Sequence, residues 1–229
     1  MRHNDNTAAL EWTRLLPPGW QMVWQHEEWG EDEPLRLAAV GASGVGNVQI
    51  IRNLAGKPLA ADANGNLLPF HISNSHDGGS HIAIAIPAAG FAGVGIDIVY
   101  LPRLGSMRHT RQYLYRLASR VMDNIEHHEF VSLCDGLDLC DVRLQFAARF
   151  SLMESASKAL GTGLRLGVGF GRPTSLHPHQ LSAVFQHNAW NMRTGLDARD
   201  RMMGLGGRKF ECYCGTSHDY LVSCVLVAC

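Results

Sequence analysis

Long apolar runs are missing from this chain. No stretch reaches the roughly 18 consecutive apolar residues that a membrane-crossing helix needs, so none is expected. An excess of one charge is missing too. Lys and Arg number 20 against 21 Asp and Glu, a formal net charge of −1, which argues against bulk binding to nucleic acid or to an anionic membrane and leaves room only for a local basic pocket. The six cysteines (Cys134, Cys140, Cys212, Cys214, Cys224 and Cys229) form no CxxC pairs and are too sparse for a disulfide scaffold. Cys212 and Cys214 lie two apart on an expected strand; a zinc pair there is a weaker reading than reduced thiols. No G-x-G-x-x-G order exists either. The glycines at 41, 44 and 46 read as a flexible connection. The first twenty residues carry Asp5, Asn6, Glu11 and Arg14, which no secretory signal would, so a cytoplasmic protein is expected.

What is present is a globular composition. Hydrophobic residues make up 46% and charged residues 18% of 229, enough for one large domain or two small halves with a core. "HIAIAIP" (81–87) alternates Ile82, Ile84 and Ile86 with small residues, a period-2 strand ended by proline. "GVGIDIVYL" (93–101) is a second strand, and "RLAAVGASGVGNVQII" (36–51) ends in an apolar run that suits a third. "RNLAGKPLAADANGN" is turn chemistry. Helical material spans 107–132 with a break before "HHEF", a helix covers 141–160, and the C-terminal "KFECYCGTSHDYLVSCVLVAC" reads as two strands around a turn. "SNSHDGGSHIAIAI" and "GTSHDYLVSCVLVA" both set Ser-His-Asp ahead of an apolar strand, an internal echo. The expected class is α+β, a pseudo-duplicated fold of two halves, each a small antiparallel sheet with a long helix. The expected division is residues 1–104, then 105–229.

Two acidic residues stand out. On the 141–160 helix, Phe146, Phe150, Met153, Ala156 and Leu160 form the apolar stripe, while Ser151, Glu154, Ser155 and Lys158 share another arc. Glu154 and Lys158 are spaced i,i+4, which on a solvated helix is an ordinary ion pair. Asp97 sits between Ile96 and Ile98 in an apolar strand, where carboxylates are rare and costly to bury. It then needs a surface edge, a buried hydrogen-bond network or a bound cation. A hard cation such as Mg²⁺ takes one or two carboxylates, and Asp97 with Glu154 would supply two if the fold joins them.

"GVGIDIV" together with "RFSLMESASKALGTGL" resembles the two signature motifs of the 4′-phosphopantetheinyl transferase superfamily, a (V/I)G(I/V)D strand and a (F/W)(S/C/T)xKE(S/A)xxK helix followed by a glycine loop. "GKP" (56–58) resembles the family's Gly-Lys/Arg-Pro turn, and "ISNSHDGG" (72–79) its Asn-x-Ser-His-Ser/Asp stretch. The ordered set spans residues 56–166.

The resemblance implies a pseudo-twofold single-chain fold. The implied activity moves the phosphopantetheine of coenzyme A onto a serine of an acyl or peptidyl carrier protein, or of a carrier domain within a synthase, with Mg²⁺ or Mn²⁺. It implies that Asp97 and Glu154 bind the metal, Glu154 serving also as base. Lys158 would touch the pyrophosphate and Lys57 the 3′-phosphate, while Ser75 and His76 line the nucleotide site. Each also has a plainer reading: Lys57 as a solvated turn lysine, Ser75, Asp77 and Asp219 as turn caps, and His76 as a turn histidine. Two positions depart from the pattern. Val99 stands where a glutamate is usual, and Met153 where a lysine precedes the motif glutamate. Met153 faces the apolar stripe, so its presence reads as a functional more than a structural change. A degenerate member that binds coenzyme A or a carrier without efficient transfer is the alternative, and a thiol or zinc hydrolase using a cysteine with His76 or His218 a third. Arg103, Arg108, Arg111, Arg116 and Arg120 are candidates for docking an acidic carrier.

Overall fold

The computed structural model describes residues 19–26, 30, 32–105, 110–164 and 175–229. A first set of elements runs β1 (Gln21–His26), α1 (Glu33–Ser43), β2 (Gln49–Arg52), β3 (Pro58–Ala61), β4 (Phe70–Asp77) and β5 (Ser80–Pro87). A second runs β6 (Phe91–Tyr100), α2 (Arg111–Val121), α3 (Asn124–Cys134), α4 (Leu139–Ala159), β7 (Leu181–Gln186), β8 (Ala189–Thr194), α5 (Leu196–Gly204), β9 (Lys209–Ser217) and β10 (Tyr220–Ala228).

The sheets repeat one plan. Strands in the order β1-β5-β4 form one antiparallel sheet, and β6-β10-β9 form the other. The hairpin β2–β3 in the first set answers to β7–β8 in the second. The two Ser-His-Asp tripeptides fall at the turn ends of equivalent hairpins, one just before its turn and the other across it. The internal echo is therefore a duplicated topology. The helices are unequal: α1 has 11 residues and α4 has 21. Because β6 pairs with β10, grouping by sheet puts the seam near residues 88–90 and assigns the Asp97 strand to the second sheet. The sequence-based division at 104 assigns that strand to the first half.

Alternation explains the layers. Val94, Ile96 and Ile98 of β6 pack with Ile82, Ile84 and Ile86 of β5 and with Val222, Cys224 and Leu226 of β10. The opposite face of β5 carries Ala83 and Ala85, small enough for Leu35, Ala38 and Ala39 of α1 to settle on it. On the far side, α4 lies across β6 and β10. The expected 107–132 helix is broken at Met122–Asp123, where the Asp123 carboxylate accepts from the Glu126 amide at 2.7 Å and opens α3. Asp138 caps α4 in the same way. Of the glycines read from sequence as a flexible connection, Gly41 lies inside α1 and Gly44, at φ 70°, is its left-handed C-cap. No helix among the described residues is long and apolar enough to cross a membrane.

Candidate active site

The site begins with glycines. Residues 93, 95, 97 and 99 share the face of β6 turned toward α4. A Cβ on Gly93 would stand 2.2 Å from the Ala159 carbonyl oxygen, and one on Gly95 would collide with the helix backbone just as severely. Only hydrogens fit there, so α4 rests directly on the strand. Of the arc of α4 read as polar, Ser151 and Ser155 are accordingly buried, while Glu154 and Lys158 are half-buried. Ser151 and Ser155 both bond the Ser223 hydroxyl on β10 at 2.7 Å, and Ser223 is the cross-strand partner of Asp97.

That approach decides who pairs with whom. Lys158 does not take its i,i+4 neighbour Glu154 as its close partner. Its Nζ donates to Asp97 Oδ1 at 2.8 Å, to Ser75 Oγ at 3.0 Å and to the Ile96 carbonyl at 3.0 Å, which engages all three ammonium hydrogens. Ser75 in turn donates to Asp97 Oδ1 at 2.8 Å. Asp97, only 7% exposed, is thus held by a buried network, one of the three resolutions open to it from sequence. Glu154 stands beside this cluster. Burial first, and then the charge of Asp97, push its carboxyl up to about 7, with Lys158 partly opposing them. The strand and helix carboxylates are thus near enough for their charges to interact.

Side chains of β4 stitch the two sheets together here. Ser73 Oγ accepts from the Ile96 amide at 3.1 Å, and Asp77 Oδ2 accepts from the Tyr100 amide at 2.8 Å. Asp77 also takes the Gly78 amide and Arg103. The turn-cap reading of Asp77 holds, but it misses the tie to β6, which a tripeptide gives no means of seeing. His76 is not brought to the cluster: it is exposed and stacks on His81, with centroids 5.4 Å apart.

Next to Lys158 opens a cavity of about 330 Å³. Arg52 and Lys57 line it, as do Asn74 and the loop Gly161–Gly163. The loop turns back at the end of α4, where Thr162 bonds the Ser157 carbonyl through both its amide and its hydroxyl. Lys57 is partly buried and donates to the Ala159 carbonyl at 3.1 Å, so it is no solvated turn lysine. Desolvation, and then Arg201, bring its ammonium down to about 8.

The departures also find places. Val99 and Met153 are buried in the core beneath α4, Met153 completely. The described cysteines are free, and burial pushes Cys212, Cys214 and Cys224 up to about 12, the reverse of an activated thiol. Among the described residues no group of three or more metal-type side chains gathers.

Residues 93–198 match the family model of the 4′-phosphopantetheinyl transferase superfamily. This segment is thus similar to that superfamily. Asp97, Glu154 and Lys158 lie within it; Lys57, Ser75 and His76 lie before it. The chain is also similar to the holo-[acyl-carrier-protein] synthase of Koribacter versatilis (strain Ellin345), 29% identical over 145 residues, or 59% of this chain and 96% of that protein. Among solved structures, the holo-[acyl-carrier-protein] synthase of Neisseria meningitidis is similar at 19% identity and a TM-score of 0.47, covering 61% of this chain and 99% of the other. That of Helicobacter pylori, in complex with coenzyme A, is similar at 18% identity and a TM-score of 0.41, covering 59% and 99%.

Proposed function

We propose that the protein transfers the 4′-phosphopantetheine group of coenzyme A to a serine of an acyl or peptidyl carrier protein. The observation that carries this reading is the cluster Asp97–Lys158–Ser75 with Glu154 beside it, opening on a cavity whose cationic lining suits phosphates. In the transfer, the carrier serine oxygen attacks the pantetheine-side phosphorus. The bond from that phosphorus to the bridging oxygen breaks, and adenosine 3′,5′-bisphosphate leaves. Glu154, ionised above about 7, accepts the serine proton. Lys158 supplies a fixed positive charge rather than a mobile donor, since its hydrogens are already engaged. Lys57 takes the 3′-phosphate, and Ser75 keeps Asp97 and Lys158 in register.

A divalent cation, Mg²⁺ or Mn²⁺, suits the residues present. Two carboxylates are near enough to interact, and one is held partly protonated by the other's charge and by burial, which is the local deficit a cation relieves. Asp97 and Glu154 would hold it; Val99 is in the core and offers no third group. When bound, it would neutralise oxygens of the diphosphate. Of the basic docking candidates, Arg116 and Arg120 are exposed on α2, while Arg103 is engaged with Asp77 and Arg111 with the carbonyls of Cys134 and Leu137. Arg108 lies outside the described residues.

The test is incubation with coenzyme A, Mg²⁺ and apo carrier proteins, read by intact mass. A phosphopantetheine gain that disappears in Asp97→Asn, with that variant still folded, supports the reading. Absence of any gain, with coenzyme A still bound, would favour the binding-only alternative, which Met153 motivates because it replaces a cation with a core side chain.

A further inference from the structure

Where α4 crosses β6 it meets Gly93 and Gly95, and a surface without side chains offers the ridges of a helix nothing to lock into. The next strand, β10, sets Leu221, Ser223, Val225 and Val227 opposite residues 99, 97, 95 and 93. The three apolar members of that row are buried in the core beneath α4. Their contact excludes water but has no direction, so it tolerates a small slide of the helix along the sheet. Ser223 is different. Its Oγ bonds Ser151 Oγ and Ser155 Oγ, both at 2.7 Å, and Ser155 Oγ also donates to the Ser223 carbonyl at 3.2 Å. All three serines are 0% exposed, so no water competes for these bonds. One arrangement places every hydroxyl hydrogen: Ser155 donates to the Ser223 carbonyl, Ser223 donates to Ser155, and Ser151 donates to Ser223. Ser151 and Ser155 are neighbours on successive turns, and the strand hydroxyl bridges them. A slide of α4 in either direction stretches one bond and crowds the other. The anchor also stands beside the site. Ser223 lies directly across the ladder from Asp97, and Ser155 follows Glu154 and comes one turn before Lys158. The Ser155 carbonyl is the helix atom nearest to where a Gly95 Cβ would stand.

We propose that Ser223 is a positioning residue: its hydroxyl fixes where α4 stops along the sheet, and so holds Lys158 and Glu154 in place against Asp97. It acts through Ser151 and Ser155 and touches no reacting atom. The glycines let the helix come close, and Ser223 decides the register at which it comes to rest. In its effect on rate, this inference rests on the transfer reading above.

The experiment compares wild type with Ser223→Ala in two ways, by transfer kinetics well below the melting temperature of either and by crystal structures of both. A misplacement of about 1 Å can cost a hundredfold in rate, so a shift of about half that should lower kcat about tenfold, with KM for coenzyme A within about twofold of wild type. In the crystal, the bond from Lys158 Nζ to Asp97 Oδ1, 2.8 Å in wild type, should lengthen by about half an ångström as α4 moves. A serine that only adds stability would lower the melting temperature and leave kcat of the folded enzyme unchanged, which overturns the proposal. A loss confined to KM overturns it as well, as does an S223A helix that superposes on the wild-type one. Should S223A fail to fold, Ser155→Ala decides, since it keeps the bond between Ser151 and Ser223: a lowered kcat with a displaced Lys158 supports the role, and the absence of either removes it. If wild type modifies no carrier, the transfer reading falls alone and the crystals decide: a displaced Lys158 in S223A keeps the positioning role, and an unmoved helix ends it.

Discussion

Gly95 lies in backbone contact with Ser155. A Cβ on the glycine would stand 1.9 Å from the Ser155 carbonyl oxygen and 2.7 Å from the Ala159 amide nitrogen. Neither atom can rotate aside, because both belong to the helix backbone. Asp97 reaches Lys158 because two residues earlier nothing projects from the strand.

Gly95→Ala should therefore move α4 away from β6 and cost about 3 kcal/mol or more, in the range of severe overpacking. Denaturant unfolding measures the cost. Binding of coenzyme A should weaken as well, because Lys158 and Glu154 travel with the helix. A variant as stable as wild type would mean that the helix does not sit where described.

Met153→Lys restores the cation usual in the family motif, but here it puts an ammonium into a fully buried apolar site. The expected result is a loss of about 3–5 kcal/mol, as for an uncompensated buried charge, and no gain in transfer. Met153→Leu, close in volume, should stay within about 1.5 kcal/mol of wild type. The sequence reading of Met153 as a functional departure is open to a direct check: a stable M153K that transfers faster would show that the core accommodates the lysine and that its absence limits the rate.

The pH dependence of stability follows from two glutamates, Glu126 buried and Glu154 half-buried. Glu154 and Glu126 are both raised to about 7 from an ordinary 4.5, each chiefly by burial. Glu126 Oε1 accepts the Ala183 amide at 3.0 Å, and Ser182 is the other polar group at its buried carboxyl. For an acid with a raised folded-state pKa, the folded chain holds its proton where the unfolded chain has released it. Stability from each group is thus complete below about 4.5 and falls as pH rises to about 7, by on the order of 3 kcal/mol at most. Unfolding at pH 5 and pH 8 should show wild type losing stability and Glu126→Gln losing less. A flat wild-type profile would contradict the burial argument. The transfer rate should move the opposite way, rising through about pH 7 as Glu154 ionises.

Much of this molecule was readable before its fold. β5, β6 and β10 announce themselves because they are buried on both faces, and such strands read as short apolar, β-branched runs. The apolar run that ends 36–51 marks β2, but β3 and the β7–β8 hairpin go unannounced, being strands of only four to six residues. α1 was missed because glycines at 41 and 44 look like a loop, whereas one is inside the helix and the other ends it. Among the candidate site residues, Asp97, Glu154, Lys158, Lys57 and Ser75 are drawn into one region and His76 is not.

The order of residues by itself determined which side chains share a face: glycines 93 and 95 with Asp97 on one strand, Glu154 with Lys158 on one helix. Local periodicity is a property of the backbone and needs no neighbours. The tertiary structure alone decided that Lys158 bonds Asp97 in preference to Glu154, that Ser151 and Ser155 are buried, and that Lys57 bonds the Ala159 carbonyl. Those pairings join elements distant along the chain, and the distances between them are set by how closely a helix can lie on a strand, which depends on the absence of a Cβ rather than on any pattern repeated nearby.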